Sequence, residues 1–214
     1  MPSSDQVRQC LSNLPARLTY HLDTQNITPV FFTHKTRTIH MIDTPGFNNP
    51  NPTYSDESIL TQITNHVITN QIRLSGIIYL HNISNPHMSD AAESNLAVIR
   101  KMCGESTLPA LALATTFWDV WQDGKDRIDE YNKHKEQLKS DPRFWKGLVN
   151  GGCQIFDCDD GRSTALAPVE YFLERNQTVW LDIQEELVNR KLPLVETGAY
   201  IPILGARKRE LERE

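Results

Sequence analysis

Short apolar runs alternate with amphipathic stretches along most of this chain, and the alternation predicts its elements. Residues 27–33 (Ile-Thr-Pro-Val-Phe-Phe-Thr) read as a strand, with Pro29 marking an edge or a strand start. Residues 37–42 read as its hairpin partner across His34 and Lys35. Residues 44–54 hold three prolines and three asparagines and read as a loop. Ser55 then caps a predicted helix over 56–72, where Ile59, Ile63 and Val67 recur every fourth position and Leu60 widens the stripe. Leu74–Leu80 is an apolar run suited to a parallel strand covered on both faces. Ser89 caps a helix with Ala92, Leu96, Ile99 and Cys103 inward, and Gly104 stops it. Leu108–Thr115 is a further apolar strand, Lys125–Lys139 a charged, solvent-facing helix, and Cys153–Phe156 a short strand. Helices are predicted over Thr164–Arg175 and Thr178–Lys191, the latter with a narrow stripe of Val179, Ile183 and Leu187. Arg207–Glu214 is charged, and frayed or helical. Strand and helix alternate after residue 37, so the expected fold is α/β, a mostly parallel sheet with helices on both faces.

Ligands in such folds bind beyond the carboxyl ends of the strands. Asp43, Asn82–Ser84 and Thr115–Asp119 all fall there. The tetrapeptide Asp43-Thr44-Pro45-Gly46 closes the second strand. It delivers one carboxylate and one glycine amide to a phosphate-metal site. Thr115-Thr116-Phe117-Trp118-Asp119 follows the apolar strand. A carboxylate at 119 accepts from guanine N1–H and its exocyclic amine together, a pairing adenine does not offer. Such bidentate pairs discriminate by about 1–3 kcal/mol in base readout. Ser163-Thr164-Ala165 is placed to close its backbone over the base edge ahead of the following helix.

These segments resemble a fungal branch of the septin-like and immunity-associated GTPases of the P-loop class. The matching stretches are Ile42–Phe47, Ser75–His81, Arg100–Glu105, Thr115–Asp119 and Ile183–Val188, collinear over about residues 20–195. The resemblance implies a Ras-like nucleotide-binding sheet that takes GTP or GDP with Mg²⁺. Thr24-Gln25-Asn26-Ile27 then stands where the family has its switch threonine, so Thr24 joins Asp43 at the metal. Gly46 meets the terminal phosphate. Asp119 reads the base, helped by Thr116 and the backbone near Ala165. The expected division is a weakly patterned segment over 1–26, a G domain over 27–176, and a helical extension over 177–214.

One element of the family pattern is not in the sequence. P-loop proteins cradle phosphates with G-x-x-x-x-G-K-[ST]. The only Gly-Lys pair here is Gly124-Lys125, followed by Asp126, and residues 1–26 contain no glycine. The first strand and phosphate loop are therefore expected to be missing, by a clipped chain or by genuine loss. Without them, GTP and Mg²⁺ binding is expected to weaken. Loss of the strand either leaves backbone ladders unpaired or lets the flanking strands pair directly. Phe47 stands where Ras-type enzymes place a water-orienting glutamine, and Phe117 where the base motif has a lysine. No side chain reads as a catalytic base. Hydrolysis of GTP to GDP and phosphate is expected to be slow or absent.

The rival reading is a non-enzymatic pseudo-GTPase scaffold that binds a partner, or itself, through the switch-like loop 47–56. A serine hydrolase lacks its G-x-S-x-G elbow. A metal site at His81 and His87, or at Cys153 and Cys158, is a weaker alternative. The net charge of −5 argues against nucleic acid and anionic membranes as partners. The apolar runs are too short to span a bilayer. With no signal-like start and four cysteines read as reduced thiols, a cytoplasmic setting is expected.

Overall fold

The computed structural model describes residues 24, 26–47, 49, 54–85, 89–118 and 125–212. Strands β1 (Thr28–His34) and β2 (Arg37–Asp43) form an antiparallel hairpin in register from Thr28 opposite Asp43 to His34 opposite Arg37. Lys35 takes the left-handed conformation that the two-residue turn demands, at φ 53°. Strands β3 (Ile77–Asn82), β4 (Leu111–Thr116) and β5 (Gln154–Asp157) form a parallel sheet in the order β3-β4-β5. Parallel neighbours require crossovers, and helices supply them. Helix α1 (Asp56–Thr69) leads into β3, α2 (Asp90–Cys103) joins β3 to β4, and α3 (Lys125–Ser140) with the short α4 (Lys146–Asn150) joins β4 to β5. Helix α5 (Gly161–Arg175) follows, then α6 (Asp182–Gln184) and a terminal α7 (Ile201–Leu211).

The serine caps are where the sequence puts them. Ser55 Oγ accepts from Ser58 N at 3.2 Å, and Ser89 Oγ accepts from Ala92 N at 3.2 Å. Gly104 ends α2 at φ 83°, and a Cβ there would stand 2.0 Å from the Asp182 carboxyl carbon, so only glycine fits. All six residues of β4 are buried. Around them Ile59, Leu60, Leu96, Trp145 and Leu148 form one core, and Leu181, Ile183, Tyr200 and Ile203 from the last forty residues join it.

Several expected boundaries move. β4 begins at Leu111, because Glu105–Ala110 is a 3₁₀ turn containing Pro109, which has no N–H for a ladder. Leu74 bridges antiparallel to Val179, and the parallel strand starts only at Ile77. The helix expected over 178–191 is extended as far as Leu181. It makes one α-helical turn and then a π turn over Glu185–Asn189. Gln184 fixes that entry: it accepts from Leu181 N at 3.1 Å and donates to Ile72 O at 3.0 Å. Among the described residues β2 and β3 lie in separate sheets, so direct pairing of the two flanking strands does not occur there.

Candidate functional site

Thr24 and Asp43, nineteen positions apart, meet. The Thr24 hydroxyl donates to Asp43 Oδ2 at 3.0 Å, half-buried. The hairpin register explains this. Asp43 is the last residue of β2, opposite Thr28 at the start of β1, so the chain entering β1 runs past the β2 terminus. Beyond it Pro45 is buried, Gly46 is exposed, and Phe47 returns to the core at 7% exposure. The exposed glycine thus sits between two buried anchors. The Phe47 ring is committed to packing. Within the loop 47–56, residues 48 and 50–53 lie outside the described residues.

Thr116 ends β4, buried, and donates from Oγ1 to His81 O at 3.3 Å. Its carbonyl accepts from Ile83 N at 3.0 Å. On the neighbouring strand Asn82 closes a tight turn by accepting from Ser84 N at 2.9 Å and Ser84 Oγ at 2.7 Å. Asp119 lies outside the described residues, but the two positions before it do not. Phe117 is held at φ 66°. A bulky residue costs about 1–3 kcal/mol in such sparsely populated regions, so surrounding contacts must hold it there. Ala165 is the fifth residue of α5, not ahead of the helix, because the helix begins at Gly161. The loop after β5 is therefore only Cys158–Asp160. It is held by Asp160 N donating to Thr164 Oγ1 at 2.9 Å.

Sequence reasoning missed the polar cluster behind this rim. Thr115 Oγ1 accepts from Trp118 Nε1 at 3.0 Å and donates to Asp157 Oδ1 at 2.8 Å. Lys135 Nζ pairs with Asp157 Oδ2 at 2.5 Å and lies 5.3 Å from the centroid of the Trp118 ring. Tyr131 meets the same ring edge-on at 5.9 Å. A cavity of 270 Å³ opens beside it, lined by Trp118, Ile128, Asn132, Asp157 and Asp159. The missed signal is the spacing in α3, where Tyr131, His134, Lys135 and Leu138 sit at i, i+3, i+4 and i+7. Tyr131, His134 and Leu138 are buried, and Lys135 is only 17% exposed. The helix is therefore not solvent-facing all round.

His81 does not face a cleft. It is packed edge-on against Trp145 at 5.4 Å and His134 at 5.9 Å, and its Nε2 has no hydrogen-bond partner. Burial, and then the neighbouring His134, lower its pKa to about 4. His87 lies outside the described residues. Cys153 is buried and donates from Sγ to Leu108 O at 3.3 Å. Among the described residues no group of three or more His, Cys, Asp or Glu is placed to hold a metal alone, and no helix is long and apolar enough to cross a membrane.

No family model and no curated protein matches the sequence. The fold does match solved structures. Toc33 from Arabidopsis thaliana in complex with Mg²⁺ and GMPPNP is 12% identical, covers 84% of this chain and 85% of its own, and superposes with a TM-score of 0.62. A dimerization-deficient mutant of Toc33 gives 12% identity, 84% and 82% coverage, and a TM-score of 0.60. At this identity the likeness establishes the fold alone, a Ras-like α/β architecture with a parallel sheet and helices.

Proposed function

We propose that this chain is a guanine-nucleotide-binding G-domain protein with little or no GTP hydrolysis of its own. The observation that carries the reading is the 3.0 Å hydrogen bond between Thr24 and Asp43 at the end of β2. It joins two residues that the sequence nominated separately for the same metal. The fold supports it, since Toc33 adopts the same architecture and has been solved with Mg²⁺ and a GTP analogue. The resemblance of the five collinear segments to the septin-like and immunity-associated GTPases supports the same reading.

A hydroxyl and a carboxylate are hard oxygen donors, and that chemistry fits Mg²⁺. This ion favours one or two protein oxygens with waters and phosphate oxygens over an all-protein cage. Thr24 and Asp43 would hold it, and when bound it would neutralise charge on the β- and γ-phosphates. Gly46, an exposed residue, would donate its N–H to the terminal phosphate. Asp119 would read the base edge, with Thr116 and the backbone near Ala165 framing it. The sequence contains no G-x-x-x-x-G-K-[ST], so the phosphates lack their usual amide nest and lysine. Affinity should accordingly be low, and the same fact supports the second reading, a pseudo-GTPase scaffold acting through loop 47–56 in the cytoplasm.

Titration with a fluorescent GTP analogue, with and without Mg²⁺, tests the proposal. Binding should strengthen with Mg²⁺ and fall at least about fivefold, the low end of base-pair discrimination, in Asp119→Ala. Equal binding by the variant and the wild type would remove the base-reading assignment.

A further inference from the structure

Trp118, Thr115, Asp157 and Lys135 close a ring. The indole N–H donates to the threonine hydroxyl, the hydroxyl to one carboxylate oxygen, and the ammonium to the other. The ammonium then returns to the indole face at 5.3 Å. The ring ties β4, β5 and α3 together, and it includes the residue directly before Asp119. It also supplies what the left-handed Phe117 needs, a fixed point on its far side. A free loop would relax that backbone; a loop pinned at Trp118 cannot. The cation absent at position 117 reaches the same neighbourhood from a helix, as Lys135.

We propose that this ring is the device that positions the base-reading loop, and that Lys135 is the positioning residue for the choice of guanine over adenine. The proposal rests on the nucleotide-binding reading for its specificity, but the pinning itself does not. Lys135 touches no base. It holds Asp157, which orients Thr115, which fixes Trp118, and residue 119 follows one peptide later. Arginine preserves both the ion pair and the ring contact. Methionine keeps most of the side-chain volume and removes both.

Hydrogen exchange of the segment 117–119 in nucleotide-free wild type, Lys135→Met and Lys135→Arg is the first measurement, with fluorescent GDP and ADP titrations of the same proteins as the second. Exchange in the segment should speed up in Lys135→Met alone, with β3 and β4 unchanged. The preference for GDP over ADP should fall by about tenfold in Lys135→Met, the scale of one hydrogen bond to a charged group, and return in Lys135→Arg. Unchanged exchange in Lys135→Met overturns the proposal whether or not nucleotide binds, as does an unchanged GDP-to-ADP ratio where the wild type discriminates. A wild type that binds neither nucleotide defeats the functional reading instead. The pinning is then judged by exchange alone. Thr115→Val, which breaks the ring at its hydroxyl, should repeat the Lys135→Met result if that variant misfolds.

Discussion

β4 buries every one of its six residues, whereas the β1–β2 hairpin buries only Phe32. The two regions also differ in what holds them. The parallel sheet sits in a core that draws on α1, α2, α4 and the last helices. The hairpin has a small cluster of its own, Phe32 against Leu166 with Ile39 and Met41 beside it. The rest is polar. His34 Nε2 and Lys35 Nζ both reach Glu170 Oε1, at 2.8 and 2.9 Å, and Arg37 donates to Asn176 Oδ1 at 3.1 Å. One half of the proposed site, with Thr116 and the Trp118 ring, thus stands on a rigid core. The half that carries Thr24, Asp43 and Gly46 stands on a hairpin held to α5 by a few contacts. In a nucleotide-binding protein the rigid half suits base reading, and the loosely held half suits a response to phosphate and metal.

The largest effect should come from the core side. Leu113→Ala, at a site with no exposure, should lower stability by about 3 kcal/mol in urea denaturation, because the cavity it leaves adds to the lost burial of the side chain. His81 offers a comparable effect by pH. Its unfolded imidazole protonates near pH 6.5, while the buried one resists until about 4. Stability should be full above pH 6.5, decline as the pH drops toward 4, and level off below, a loss of roughly 3 kcal/mol in all. His81→Phe should remove most of that slope in urea midpoints measured between about pH 7 and about pH 5.

The hairpin should respond locally. Phe32→Ala should raise amide exchange through β1 and β2 while moving the global urea midpoint less than Leu113→Ala does, since sub-global openings are independent of the core. The smallest effect belongs to Glu170. Lys35 first, and His34 next, hold its carboxyl below the usual range. A lowered carboxylate pKa contributes stability that is present above the ordinary value and lost as pH falls through the folded one. Hairpin exchange, normalised to that of β4, should therefore rise on acidification in the wild type and be insensitive to it in Glu170→Gln. If Phe32→Ala unfolds the whole chain as readily as the core substitution, the two regions are one cooperative unit and the contrast fails.

The same division explains what was legible in the sequence. Apolar periodicity marked β4, α1 and α2 because each buries a continuous apolar surface. The hairpin followed from two strand-like runs and a two-residue turn. Thr24 was legible beside Asp43 only through the family resemblance, and the hairpin register is what brings the two side chains into contact. The Trp118 ring was not, since its members lie on three elements and Lys135 is concealed in a charged helix whose buried face is Tyr131, His134 and Leu138. Periodicity also misread 178–191, where Val179 is consumed by a bridge to Leu74 and the turn that follows is π rather than α. The helix Ile201–Leu211 was anticipated only at its charged end, because Pro202 and Gly205 mask its start.

The central claim is that the hairpin terminus and the β4 rim grip one ligand. Hydrogen exchange with and without a non-hydrolysable GTP analogue and Mg²⁺ tests it in a single experiment. The account predicts that segments 43–47 and 115–119 are protected together, and that both lose protection when Mg²⁺ is chelated. Protection of one segment without the other, or of neither at saturating analogue, would contradict it.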